Sequence, residues 1–114
     1  MRQLFVLVHS PGPGWNTGLS FTAQPGIEDH FNFMRSLAER GVLILGGPFA
    51  DGDSTESVGM AVIVARDALH AEGLAHEDRS VERGLIIVRV RPWTVPMGIA
   101  LEVVPPSDRS EDRA

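Results

Sequence analysis

The sequence predicts an α+β domain in which a four-stranded antiparallel sheet carries two helices on one face. Three observations carry this reading. Four short apolar runs rich in strand formers are spread along the 114 residues. A long stretch with helical periodicity lies between the first and second run, and a shorter one between the third and fourth. Glycine and proline clusters punctuate the boundaries, where they end ladders and permit turns.

Leu4-Phe5-Val6-Leu7-Val8 is the first run, continuous enough to be a strand buried on both faces. Ser10-Pro11-Gly12-Pro13-Gly14 ends it, and residues 11–25 form a loop carrying Trp15. A loop of that length in a compact domain is often functional. From Ile27 to Arg40 the pattern is helical: at about 100° per residue, Ile27, His30, Phe31, Phe33, Met34, Leu37 and Ala38 fall within an arc of roughly 160°. Glu28 and Asp29 in the first turn and Arg40 in the last suit the helix dipole, and Gly41 is placed to end the helix. Val42-Leu43-Ile44-Leu45 is the second strand and runs into Gly46-Gly47-Pro48-Phe49. The polar stretch 51–56 is a hairpin connection, Val58 to Ala65 the third strand, and Asp67 a cap for a second helix over about 68–76. Gly84 to Trp93 is the last strand, with Arg89 and Arg91 on one face at period two.

The order β-α-β-β-α-β is the ferredoxin-like split arrangement. Its strands are apolar on both faces along much of their length, so the face without helices needs a cover. A second copy of the sheet is the simplest one, which predicts a homodimer by sheet-to-sheet packing. The domain is expected over residues 1–96, an arm or extra strand over 97–106, and a polar, disordered tail over 107–114.

Composition narrows the function. There is no cysteine, which excludes disulfides and thiolate metal sites. A net charge of −5 argues against nucleic-acid binding, which needs a basic face, and against a polybasic membrane contact. No targeting segment and no apolar stretch of membrane-spanning length stands out, so a cytoplasmic location is the default expectation. His9, His30, His70 and His76 show no HxH or HxxxH spacing, so neither a metal nor another cofactor is expected. No GxSxG elbow supports a serine hydrolase.

Three features can carry chemistry. His30 lies within the apolar stripe of the first helix, where a histidine is either a core residue satisfied by backbone or water, or an acid–base group facing a pocket. Asp78 lies past the second helix; its charged neighbours Glu77, Arg79, Glu82 and Arg83 read, by spacing alone, as a solvated corner. Gly46-Gly47-Pro48 ends a strand, where two glycines let a backbone approach a ligand or simply form a strand exit. It is not a phosphate loop, since neither the Gly-Lys-Ser/Thr nor the GxGxxG pattern follows.

Together these pieces resemble the YCII-related (YciI-like) family of the dimeric α/β-barrel superfamily, from about Gln3 to Trp93. The likeness rests on His30 followed by Phe33-Met34 and Leu37, on Gly41-Val42-Leu43, and on Gly46-Gly47-Pro48-Phe49. Gly59 to Val64, Asp78 with Gly84 beyond it, and Val90-Arg91-Pro92-Trp93 extend it. The resemblance implies a dimeric α/β barrel in which His30 and Asp78 face a common pocket as a catalytic pair. The chain departs from the family at Arg79, where proline often follows the aspartate. One member acts as a dehydrochlorinase on a chlorinated hydroxyquinol, and related folds include muconolactone isomerase. The implied function is a cofactor-independent lyase or isomerase acting on a small molecule, with Gly46, Gly47 and Pro48 lining the pocket and Trp15 closing it. The alternatives are a non-catalytic module that binds a small ligand through the same pocket, and an interaction protein that uses its dimer and the 94–106 segment.

Overall fold

The structure is a computed structural model and describes residues 3–51 and 56–98. It is a ferredoxin-like α+β domain. Strand β1 (Gln3–Pro11) leads through a loop with one 3-10 turn (Phe21–Ala23) into helix α1 (Ile27–Glu39). Strands β2 (Leu43–Pro48) and β3 (Gly59–Ile63) follow, then helices α2 (Ala68–Ala75) and α3 (Arg79–Glu82), and finally β4 (Ile86–Thr94). The sheet order is β2-β3-β1-β4 and every pairing is antiparallel.

The central position of β1 explains its unbroken apolar run: Leu4, Phe5, Val6 and Leu7 are all buried. The edge strands β2 and β4 hold the two prolines of the sheet's outer ladders, Pro48 and Pro92, where a missing donor is tolerated. Phe5 and Leu7 pack with Ala61 and Ile63 of β3, with Phe33 and Leu37 of α1, and with Ala71 and Leu74 of α2. A second cluster joins Phe21, Ile27, Val58, Leu85 and Ile86 at the other end of the helix layer.

Local signals act as their chemistry requires. Gly41 ends α1 with φ 73°, a backbone conformation that side chains with a Cβ resist. Its N–H donates to Ala38 O and the Val42 N–H to Leu37 O, which satisfies two terminal carbonyls. The Asp67 carboxylate accepts from the His70 N–H at 2.8 Å and caps α2. On α1 the buried stripe is Ile27, His30, Phe33 and Leu37; Ala38, at the margin of the expected arc, is exposed. Helix α3 is unexpected, since four residues are too few to show a period.

Strand β2 carries one irregularity. The register runs Leu43↔Ile63 and then Leu45↔Val62, so a bulge falls between Leu43 and Leu45. Leu45 consequently faces outward and is 55% exposed, while Gly46 lies against Met34 of α1.

The sheet face away from the helices exposes Leu45, Ile87 and Trp93, together with Arg89 and Arg91. Among the described residues no helix is long and apolar enough to cross a membrane. Apart from Met97 and Gly98, the expected arm at 97–106 and tail at 107–114 lie outside the described residues, as do positions 52–55 of the β2–β3 connection.

Candidate active site

His30 projects from the inner face of α1, between Ile27 and Phe33, and is 4% exposed. Asp78 is the N-cap of α3 and fully buried. The two side chains, far apart in sequence, meet directly: His30 Nδ1–H donates to Asp78 Oδ2 at 2.6 Å. Asp78 therefore does two jobs. Its other oxygen, Oδ1, accepts from the Ser80 N–H at 2.9 Å and from the Ser80 hydroxyl at 2.7 Å. Helix α3 thus fixes the carboxylate while the carboxylate starts the helix.

Burial alone would push the Asp78 carboxyl up. The hydrogen bonds from His30 and Ser80 outweigh that and hold it below its ordinary value, so it is a carboxylate at neutral pH. Arg79, the residue in place of the family proline, is exposed and takes no part in these bonds.

With Nδ1 committed to Asp78, the Nε2 of His30 has no hydrogen-bond partner among the described residues. The ring borders a cavity of about 190 Å³ between α1 and the sheet. Phe21, Phe31, Met34 and Met60 give it apolar walls, and Gly46, Gly47, Pro48 and Gly59 supply backbone from β2 and β3. A Cβ at Gly46 would come within 2.6 Å of the Met34 methyl and 3.1 Å of Ala61 Cβ, so glycine keeps this wall thin. An apolar cavity of about 150 Å³ holds benzene, so this one has room for a single substituted six-membered ring.

The structure brings His30, Asp78, Gly46, Gly47 and Pro48 together at one place. Trp15 stands apart from the cavity wall. It packs edge-on against Phe21 at 5.7 Å between ring centroids, and Phe21 in turn lies 5.8 Å from the His30 ring. The aromatic cover is Phe21, with Trp15 behind it. Gln24 holds that cover in place. It is 1% exposed, its amide nitrogen donates to Asn16 O and Leu19 O, and its oxygen accepts from the Asn16 N–H.

A third polar side chain completes the site. His9, 2% exposed, lines the cavity from β1, and its ring meets that of His30 edge-on at 4.7 Å. Burial foremost, and then the neighbouring His30, lower its pKa from 6.5 to about 4, against a smaller opposing pull from Asp78. Donor atoms of His9, His30 and Asp78 lie within 4.8 Å of one another, a set of the kind that can hold a metal ion. As they stand, His30 and Asp78 are a hydrogen-bonded pair at 2.6 Å, closer than the roughly 3.4 Å that separates two ligands around a tetrahedral metal bound at about 2.1 Å. Period two along β1 puts His9 on the same face as Phe5 and Leu7, and that was the signal by which it could have been found.

Fold and site together define a ferredoxin-like domain with a histidine–aspartate pair at a small apolar cavity. The chain belongs to the YCII-related domain family, whose profile matches residues 5–94. No curated protein matches the chain. A similar solved structure is that of 5-chloro-2-hydroxyhydroquinone dehydrochlorinase from Burkholderia phenoliruptrix AC1100 in complex with 2,5-dihydroxybenzoquinone. It aligns with a TM-score of 0.54 at 17% sequence identity, over 80% of this chain and 93% of that one. At that identity the likeness speaks to the fold alone.

Proposed function

We propose that this protein is a small-molecule enzyme of the lyase or isomerase type that moves a proton with His30 and uses no metal or organic cofactor. The observation that carries the reading is the short His30–Asp78 hydrogen bond beside a cavity of ring size. Asp78 fixes the imidazole in the tautomer with Nδ1 protonated. Nε2 is then left unprotonated as the base that takes a proton from a carbon or phenol-like oxygen of a bound ring. The carboxylate stabilises the imidazolium that forms. Gly46, Gly47 and Pro48 shape the cavity wall, and Phe21 backed by Trp15 shields it from water. The dehydrochlorinase of similar fold performs an elimination and binds a hydroxyquinone, which is the chemistry such a pair serves.

Deuterium exchange at the ring C–H positions of 2,5-dihydroxybenzoquinone in D2O, followed by NMR, tests the reading. Wild-type protein accelerates the exchange, and His30→Ala loses about 10²–10⁴ of that acceleration, the usual contribution of a positioned base. Equal rates with the two proteins would remove the proposed role. Dialysis against a chelator leaves the rate unchanged; a rate that collapses and returns with added zinc would make the three-residue cluster a metal centre instead.

The partner we propose for the outer sheet face is a second copy of the chain. Leu45, Ile87 and Trp93 supply the exposed apolar area, and the covering surface must also meet Arg89 and Arg91. Sedimentation at micromolar concentration checks this: a species of twice 12.4 kDa is expected, and a monomer would refute it.

A further inference from the structure

Neither ring nitrogen of His9 has a hydrogen-bond partner among the described residues, and its Nε2 is wholly shielded from solvent. A buried polar group costs free energy unless it is bonded, and such groups in folded proteins nearly always are. Apolar residues of similar size would fill this place on β1 without that cost, as Phe5 and Leu7 do two and four positions earlier in the same row. The imidazole borders a space in which a partner could sit, the cavity it shares with His30.

We propose that His9 is the second polar contact of the bound molecule, a neutral imidazole that hydrogen-bonds an oxygen of the ligand while His30 handles its proton. The inference rests on the function proposed above and deepens it, because it specifies the ligand. The molecule is a single ring, in the keto form, bearing a carbonyl oxygen beside the saturated carbon that gives up the proton. When His30 Nε2 takes that proton, the C–H bonding pair moves into the ring and onto this oxygen, which becomes an enolate. An N–H of His9 then donates to an oxygen richer in charge than before. A neutral imidazole suits the task because it can donate to the oxygen without protonating the His30 base or competing for its carboxylate.

The geometry supports the division. The two rings meet edge to face with an interplanar angle of 79°, so they approach the cavity along different directions rather than stacking on one another. Phe21, 5.8 Å from His30, closes the apolar side, which directs the polar edge of a ligand toward the two histidines.

Calorimetric titration with 2,5-dihydroxybenzoquinone, alongside thermal unfolding, tests the proposal on His9→Phe. The variant removes the imidazole and leaves an apolar ring in an apolar row. Its melting temperature is expected to hold or rise, since an unpartnered polar group has been removed. Its affinity is expected to fall about tenfold, the usual effect of one lost hydrogen bond. His9→Gln, which keeps a side-chain N–H, recovers most of the affinity and stands in should His9→Phe fold poorly. In the wild type, the ¹⁵N resonances of the His9 ring move on probe addition at constant pH. Unchanged affinity in both variants would overturn the role of His9 and leave the His30–Asp78 reading intact. A wild-type protein that does not bind the probe would remove both.

Discussion

Two ends of one row on β1 carry opposite solutions to the same problem. Phe5, Leu7 and His9 alternate along one face of the strand and all are buried. At the Phe5–Leu7 end, burial is its own reward: Leu37, Ile63 and Leu74 close round them in an apolar cluster. At the His9 end, the same layer of helix and sheet encloses two imidazoles and a carboxylate, with three ring nitrogens left without a partner among the described residues. The dry end stabilises the fold by packing. The wet end is held by one short hydrogen bond and an N-cap, and retains a polar group that packing alone would have replaced.

Four measurements put this contrast to the test. The largest effect is expected from Asp78→Ala, which strips α3 of its cap and leaves His30 Nδ1 buried without a partner. Denaturant unfolding should show a loss of about 3–5 kcal/mol. A loss under about 1 kcal/mol would mean that the pair contributes nothing to holding the wet end together. Next comes Leu37→Ala at the dry end, where a residue with no exposed surface is truncated. About 2–5 kcal/mol should go, with affinity for a ring-sized probe kept. A drop in affinity to match would show that the two ends are one cooperative unit.

The third measurement is acid titration of stability. Between pH 6.5 and about 4 the unfolded chain protonates His9 while the folded chain does not, so stability falls as pH falls through that window. The loss approaches roughly 3 kcal/mol for a shift of this size. The Asp78 carboxylate adds a loss of the same sign only below about pH 4, since its folded value lies beneath the ordinary 3.8. A profile of His9→Phe that keeps the full slope between 6.5 and 4 would place the titrating group elsewhere. The smallest effect belongs to Arg40→Ala. Its 2.8 Å pair with Glu77 links α1 to the chain just after α2, but both partners are nearly half exposed. Less than about 1 kcal/mol should be lost, and high salt should erase even that.

The architecture was legible because its signals are long or local. Helix α1 was readable from its period, and β1 from its unbroken apolar run. Gly41 and Asp67 announced their ends of α1 and α2 through capping chemistry that needs no tertiary context. The site was legible in part. The apolar stripe of α1 contained His30, yet no spacing says whether a buried histidine is bonded to backbone or to a carboxylate 48 residues away. Asp78 was chosen through its place in a family pattern; the charges around it argued for solvent, and only the fold turns Arg79 outward and Asp78 in. Phe21 and Gln24 escaped notice because a loop has no period to reveal which of its side chains point inward. For the same reason Trp15, the largest side chain there, drew attention that belonged to Phe21. His9 was weighed only as a metal ligand in sequence, where the relevant neighbour is reached across a strand-to-helix gap rather than along the chain.

The bulge in β2 has a bearing on how such a hollow persists. Were the strand regular, alternation would turn Leu45 toward α1 and Gly46 toward the outside, and an isobutyl group would plug the space beside Met34. One supernumerary residue in an edge strand thus decides whether the domain is solid or hollow. Removing Ile44 would leave Leu45 outside and Gly46 inside, whereas pairing Ile44 with Val62 would exchange the two. Vacancy here is written in which residue the ladder passes over.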